Sequence, residues 1–164
     1  MNIEDLLDTY YQSLEQKVLN KVVILPQSMM IENSEDEDGW FLWKPTKQYL
    51  TAEDLKCVEE KYKLKIPEQY KEYILSMQFM DIQINNTTLY GINEYNSIDK
   101  LFSMFPSHIL SFGFIPIGQV NDEEFLALNT NSGEVVCLGY DNYELKKVLS
   151  KDFFTFIKDF IEGK

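Results

Sequence analysis

Few residues in this chain are of the kinds on which active sites depend. The 164 residues include one histidine, two cysteines and seven glycines. No GxSxG, HExxH, Walker loop or GxGxxG pattern occurs, and His108 alone would have to serve any mechanism that needs a histidine. The sequence therefore predicts a protein that is not an enzyme and that has no catalytic residues, cofactor or metal ion.

One enzymatic alternative needs none of those motifs. A pair of carboxylates suffices for glycoside hydrolysis, and the 27 acidic residues offer many pairs. This hypothesis predicts a cleft that holds at least one carboxyl group with a raised pKa.

Long apolar runs and a basic N-terminus are also missing. No run approaches the roughly 18–20 apolar residues that span a bilayer, and MNIEDLLDTYYQSLEQKV is acidic where a signal peptide is positively charged. We therefore expect a cytoplasmic protein. Cys57 and Cys137 stand alone, without CxxC or histidine spacing, so we expect two buried, reduced thiols rather than a disulfide or a metal site.

Basic residues are scarce relative to acidic ones. There are 15 against 27, and the formal net charge is −12. A phosphate backbone is held by clustered Lys and Arg, and an anionic membrane repels an acidic protein, so neither nucleic acid nor membrane is expected as a partner. The charge favours a basic protein partner, whose association it would steer; the alternative is that it serves solubility alone.

The apolar residues that are present follow helix and strand periods. Spacing of three and four predicts an amphipathic helix in residues 1–20, two helices that meet at Ile66-Pro67, a helix from Ser97 to Phe105 and a closing helix from Lys151 to Glu162. Thr51 and Asp54 form a capping-box pattern at the start of the second of these helices.

Short apolar runs with turn residues between them predict strands. They comprise Val22 to Leu25, then Ile82 to Ile84 and Leu89 to Ile92 on either side of Asn85-Asn86 as a hairpin or two short strands, and a meander of 114–118, 124–129 and 135–139. We predict a single α+β domain over residues 1–164, with a mainly antiparallel sheet of about five to six strands packed against N-terminal, middle and C-terminal helices.

Two segments carry a resemblance to a known family. The first, Leu50 to Gln78, reads as an acidic helix, Ile-Pro, x-x-Tyr-Lys and an aliphatic-aromatic helix. The second begins with FIPIG at 114–118 and continues with an acidic turn, a strand ending in Asn129, a Ser-Gly turn and a Val-rich strand. This order resembles the SUKH superfamily, which holds bacterial immunity proteins and the fungal Smi/Knr-type cell-wall regulators.

The resemblance implies a function by binding rather than by catalysis. An immunity protein of this superfamily binds and neutralises a cognate polymorphic toxin, commonly a nuclease. The alternative is a Smi/Knr-like regulatory or scaffolding module that binds cellular proteins. The sequence leaves the oligomeric state open.

Acidic and aromatic residues at predicted turns are the candidates for partner contact. The acidic loop at residues 27–39 does not fit a calcium site, because aligning Gly39 with the invariant EF-hand glycine places Pro45 where a bidentate carboxylate is required. A solvated loop is the alternative interpretation. The predicted partner-binding residues are Glu35, Asp36, Glu37, Asp38 and Trp40, then Asp122, Glu123 and Glu124, then Tyr140 and Asp141.

Overall fold

The structure, a computed structural model, describes residues 2–16, 21–121 and 123–163 of the chain. Six α-helices are present in these residues: α1 Ile3–Gln16, α2 Ala52–Tyr62, α3 Glu68–Ser76, α4 Ile98–Phe102, α5 Ser107–Ser111 and α6 Phe153–Glu162. No helix in this part of the chain combines the length and the apolar character that crossing a bilayer requires.

Ten strands accompany these helices. They are β1 Lys21–Val22, β2 Phe41–Leu42, β3 Thr46–Lys47, β4 Met77–Gln78, β5 Ile82–Ile84, β6 Thr87–Leu89, β7 Phe114–Val120, β8 Glu124–Asn129, β9 Val135–Gly139 and β10 Leu145–Ser150. The last six form one antiparallel sheet in the order β10-β9-β8-β7-β6-β5, and β1-β2 and β3-β4 form two small antiparallel pairs. The predicted α+β class and antiparallel sheet are confirmed.

Local sequence signals place the helix starts. Thr51 accepts a hydrogen bond from the amide of Asp54 (3.3 Å), and the Asp54 carboxylate accepts one from the amide of Thr51 (2.7 Å), so the predicted capping box is present. At the start of α4 the Ser97 hydroxyl accepts a hydrogen bond from the amide of Lys100, and at the start of α6 the Asp152 carboxylate accepts one from the amide of Thr155. Each cap satisfies an amide group that has no partner within its helix.

Aromatic side chains join α3 to α6. The ring of Phe153 lies edge-on to the rings of Tyr70 and Tyr73, with centroid distances of 5.0 and 5.4 Å. All three side chains are buried. The C-terminal helix is thereby fixed against the pair of helices that precedes the sheet.

The two buried tyrosines of α3 differ in one respect, which gives a stability prediction. The hydroxyl of Tyr73 donates to the carbonyl of Tyr90 (2.7 Å), whereas the hydroxyl of Tyr70 has no partner among the described residues. Tyr73→Phe is expected to lower the free energy of unfolding by about 1–2 kcal/mol, and Tyr70→Phe to raise it by about 1 kcal/mol, because a buried unpaired hydroxyl is a cost. Urea denaturation of both variants measures the difference; equal changes would contradict it.

Several predicted boundaries were wrong. The first strand is Lys21–Val22, because its partner β2 offers only two residues to pair with, and Val23 and Ile24 are exposed. In the hairpin, β6 is Thr87–Leu89, directly after Asn85-Asn86, instead of Leu89 to Ile92. The end of the predicted N-terminal helix, residues 17–20, lies outside the described residues.

Four elements were not predicted: the two-residue strands β3 and β4, the helix α5 and the strand β10. Ser107–Ser111 is the short helix α5, which follows Pro106 and carries His108 where a connection was expected. Leu145–Ser150 is the strand β10, so Tyr140 to Tyr143 joins two strands and not a strand to a helix. β10 is an edge strand with both faces largely exposed, which removes the alternation of apolar and polar residues that marks a strand.

The two cysteines are free thiols in different surroundings. Cys137 is buried as expected, but Cys57 is exposed on α2, so the prediction of two buried thiols was wrong for Cys57. Burial raises the pKa of Cys137 to about 11, and the carboxylate of Glu124 adds to the shift. The thiolate is the reactive form, so Cys137 is protected both by burial and by its pKa.

This difference predicts the outcome of thiol labelling. We expect one equivalent of thiol to react with a disulfide reagent at pH 8 in the native protein, and two equivalents in denaturant. Mass spectrometry of the labelled peptides should place the native label on Cys57. Rapid native labelling of Cys137 would contradict the prediction.

Candidate partner-binding surface

Three hairpin turns emerge at one end of the six-stranded sheet. Strands β5 to β10 alternate in direction, so the turns after β5, β7 and β9 lie at the same end. The amide of Asn121 donates to the carbonyl of Asn86 (2.7 Å), which ties the first two turns together. Residues far apart in the sequence thus share one edge of the molecule.

A depression of about 460 Å³ lies between the second and third turns. We call its lining the hairpin rim; it consists of Glu123, Glu124, Gly139, Tyr140, Asp141, Asn142, Glu144 and Lys146. Four of the residues predicted from sequence, Glu123, Glu124, Tyr140 and Asp141, are therefore brought together. Asp122, predicted with them, lies outside the described residues.

Aromatic packing beneath the hairpin rim holds the two turns in place. The rings of Tyr140 and Tyr143 contact the ring of Phe125, at centroid distances of 4.2 and 5.6 Å. Phe105, which follows α4, lies edge-on to Phe125 from the helix side at 4.9 Å. Tyr143 has φ +54°, a left-handed conformation that closes the turn. The turns that carry the rim carboxylates are thus held in place by packed aromatic side chains.

The hairpin rim is strongly acidic. Its lysine, Lys146, is paired with Glu144, while Glu123 and Asp141 are exposed. Glu144 and Asn142 belong to the rim but were not predicted to be part of it. Asn142 lies within the turn that the sequence indicated at Tyr140 to Tyr143, and Glu144 follows that turn directly.

The acidic loop lies on a different element. It leads into β2 of the β1-β2 pair, outside the six-stranded sheet. Asp36 organises it: its carboxylate accepts hydrogen bonds from the amides of Trp40 (3.0 Å) and Asp38 (3.1 Å) and pairs with Lys21 (2.7 Å). Asp36 is therefore occupied within the loop, and Glu35, Glu37 and Asp38 are the carboxylates that it offers outward.

The two tryptophans that flank β2 differ in exposure. Trp40 is 42% exposed, whereas Trp43 is 3% exposed and packs edge-on against Phe79 at 4.9 Å. Val23 and Trp40 flank the paired residues Val22 and Phe41, so they leave the β1-β2 pair at the same end. The acidic loop therefore carries exposed apolar surface beside its carboxylates.

A substitution at Asp36 should change the surroundings of Trp40. The hydrogen bond from Lys21 is the main cause of the lowered pKa of Asp36, so this organisation holds at neutral pH and is lost as the pH falls below the carboxyl group's usual 3.8. We expect Asp36→Ala to increase acrylamide quenching of Trp40 fluorescence at pH 7, and Glu37→Ala to leave it unchanged. Equal quenching in the two variants would show that Asp36 does not organise the loop.

One further depression contains a carboxyl group with a raised pKa, as the carboxylate-enzyme hypothesis requires. Desolvation raises the pKa of Asp81, although the amide of Gly91 donates to its carboxylate (2.8 Å) and lowers the pKa in part. The depression that contains Asp81 is otherwise lined by uncharged side chains. It has no second carboxylate among the described residues to complete an acid-base pair.

No group of three or more His, Cys, Asp or Glu side chains in the described ranges is placed to hold a metal ion.

Comparison with protein families identifies the fold. The model of the SMI1 / KNR4 family (SUKH-1) matches residues 49–159, from just before α2 to the middle of α6. The chain belongs to this family. The resemblance predicted from α2, α3 and the FIPIG strand is confirmed. The SUKH superfamily is known for immunity-type proteins and is generally non-catalytic. No curated protein matches the chain.

The matched range contains the whole of the hairpin rim. The acidic loop precedes residue 49 and falls outside it. The hairpin rim is therefore part of the range that the family model matches, and the acidic loop lies before that range.

Proposed function

We propose that this protein is an immunity protein that binds and neutralises a cognate toxin, a basic nuclease domain, through its acidic surface in the cytoplasm. Membership of SUKH-1 supports the immunity role. The formal net charge of −12 supports a basic partner. In this proposal the protein neutralises the toxin by binding alone, without a covalent step.

The observation that carries this proposal is the hairpin rim. Glu123 and Glu124 come from one turn and Asp141 and Glu144 from another, and the fold places them around one depression with Tyr140. Lys146 is tied to Glu144 and offers no free positive charge to a partner. A group of carboxylates on two turns that are held in place by aromatic packing is electrostatically complementary to a positively charged site on a partner protein.

The rim would act on a nuclease by occupying the surface that holds the substrate. A nuclease grips phosphates with lysine and arginine, and a row of carboxylates offers those same groups a competing anion. The attraction extends beyond contact distance, so it speeds encounter and weakens as salt rises. Tyr140 adds an aromatic contact of the kind that is frequent at the centre of interfaces.

The test is binding to a defined probe. We would measure, by calorimetry at two salt concentrations, the affinity of the purified protein for the C-terminal domain of the large protein encoded by the neighbouring upstream gene. Tight binding that weakens with salt, together with rescue of cells that express that domain, is the expected result. A folded protein that neither binds the domain nor rescues cells would overturn the proposal and favour a Smi/Knr-like scaffolding role.

A further inference from the structure

A second depression adjoins the hairpin rim, and its chemistry is different. It has a volume of about 570 Å³ and lies at the end of the sheet formed by β5, β6 and β7. We call it the amide trough; its lining residues are Asp81, Gln83, Asn85, Asn86, Thr88, Gln119 and Asn121. Amide side chains predominate, and no lysine is among the lining residues.

The sheet register explains why these side chains converge. Gln83 is paired with Thr88 and Thr88 with Gln119, and residues directly opposite each other point to the same face of a sheet. The three side chains therefore form a row across three strands, with neighbours about 5 Å apart. Asn85, Asn86 and Asn121 close the end of the row through the adjoining turns.

Most polar side chains of the trough are available for hydrogen bonds to a partner. The side chains of Gln83, Asn85, Asn86, Thr88 and Asn121 form no hydrogen bond to any described residue, although their backbones are held in strands and turns. They offer both donors and acceptors on a fixed frame. Apart from the carboxylate of Asp81, a surface of this kind discriminates by hydrogen-bond geometry and not by charge.

The trough and the hairpin rim are physically joined. The carboxamide oxygen of Gln119, in the trough, lies 3.3 Å from the hydroxyl of Tyr90 and 3.5 Å from that of Tyr140, in the rim. A partner seated on the rim therefore has the trough directly beside it. The two surfaces form one continuous edge, with several carboxylates on the rim side and the single carboxylate of Asp81 among amides on the trough side.

We infer that the amide trough is the part of the interface that selects the cognate toxin, by hydrogen-bonding to an uncharged polar segment of that protein. This inference rests on the proposed function and adds to it a division of roles. The rim sets the rate of encounter, and the trough sets the lifetime of the complex, because uncharged hydrogen bonds act at contact distance only.

The test uses isosteric substitutions that remove hydrogen-bonding groups and leave the charge unchanged. The trough variant is Gln83→Met with Thr88→Val, and the matched control is Thr87→Val. Thr87 is the preceding residue on β6 and points to the opposite face. The probe is the same C-terminal toxin domain, and association and dissociation rates are measured by surface plasmon resonance at two salt concentrations.

We expect the trough variant to dissociate about tenfold faster, with an association rate within about twofold of the unmodified protein, since two contact-range hydrogen bonds are lost. The control should match the unmodified protein in both rates. Unchanged dissociation of the trough variant, with binding of the unmodified protein intact, would overturn this inference alone. A loss seen only in association would do the same. Absence of binding by the unmodified protein would overturn the proposed function, and this inference with it.

Discussion

Replacing Gly118 with alanine is expected to destabilise the domain by about 3 kcal/mol or more, near the upper end of what overpacking costs. Gly118 lies on β7, where its pairing partner on β6 is Leu89. A Cβ atom at this position would lie 2.1 Å from the carbonyl oxygen of Thr88. That oxygen belongs to the backbone of the neighbouring strand, so it cannot move aside as a side-chain end would. Relief requires β6 and β7 to separate, and chemical denaturation followed by circular dichroism measures the loss.

The matched control for this prediction is Gly139→Ala in the same sheet. There the nearest atom to a new Cβ is the Cε of Lys146, at 2.9 Å, which is the far end of a flexible side chain. Although Gly139 is buried, we expect a loss of less than about 1 kcal/mol, because the end of the Lys146 side chain can move aside without a shift of the backbone. Equal destabilisation by the two substitutions would mean that loss of glycine, and not the contact with Thr88, is the cause.

Gly118 also connects stability to the candidate interface. The next residue along β7 is Gln119, which lies in the amide trough and contacts the hydroxyl of Tyr140 in the hairpin rim. Close approach of β6 and β7 therefore sets the spacing of the trough. The same glycine was part of the FIPIG signature in the sequence, and the structure gives that signature a physical reason.

Most of the fold could be predicted because its signals are local. Capping residues and three-and-four spacing placed α2, α3, α4 and α6, and turn residues placed the strands of the central meander, two of which have the predicted bounds. These features depend on neighbours within a few positions. Period and capping are therefore enough to find them.

The elements that were missed depend on distant contacts. β10 exposes both faces and includes Lys146 and Lys147, so its strand character comes from pairing with β9 and not from its own pattern. α5 is a single turn and a half between Pro106 and Phe112, too short to show a period. Cys57 was predicted to be buried because it has no CxxC or histidine spacing of a disulfide or metal site, but it lies on the exposed side of α2.

The arrangement of the candidate site also depends on contacts between residues far apart in the sequence. Acidic turns could be named from the sequence, but whether two turns share an edge depends on strand order, which only the sheet reveals. Glu123 and Asp141 meet at the hairpin rim, whereas the acidic loop proved to be a separate element in which Asp36 is internally bonded. The amide trough left no sequence signal, because Gln83, Thr88 and Gln119 converge only through the register of three strands.

Reversing two charges on the hairpin rim is expected to have the largest effect on binding of the proposed toxin partner. Glu123→Lys with Asp141→Lys places two positive charges where the proposed partner is also positive, and both residues are exposed, so the fold should be retained. We expect association with the C-terminal toxin domain to slow by about tenfold to a hundredfold at low salt, and its salt dependence to flatten, because steering acts on the encounter rate. Stopped-flow mixing at several ionic strengths measures both quantities.

The control must change the net charge equally without touching the rim. Glu60→Lys with Glu72→Lys meets this condition, since both residues are exposed, on α2 and α3, and neither lines the rim. If the control slows association as much as the rim variant does, the attraction comes from total charge and the rim is not the docking surface. If neither variant changes the rate, acidic steering plays no part in binding. Slowing confined to the rim variant would place the basic surface of the toxin against Glu123 and Asp141, with the amide trough in reach of whatever segment lies beside it.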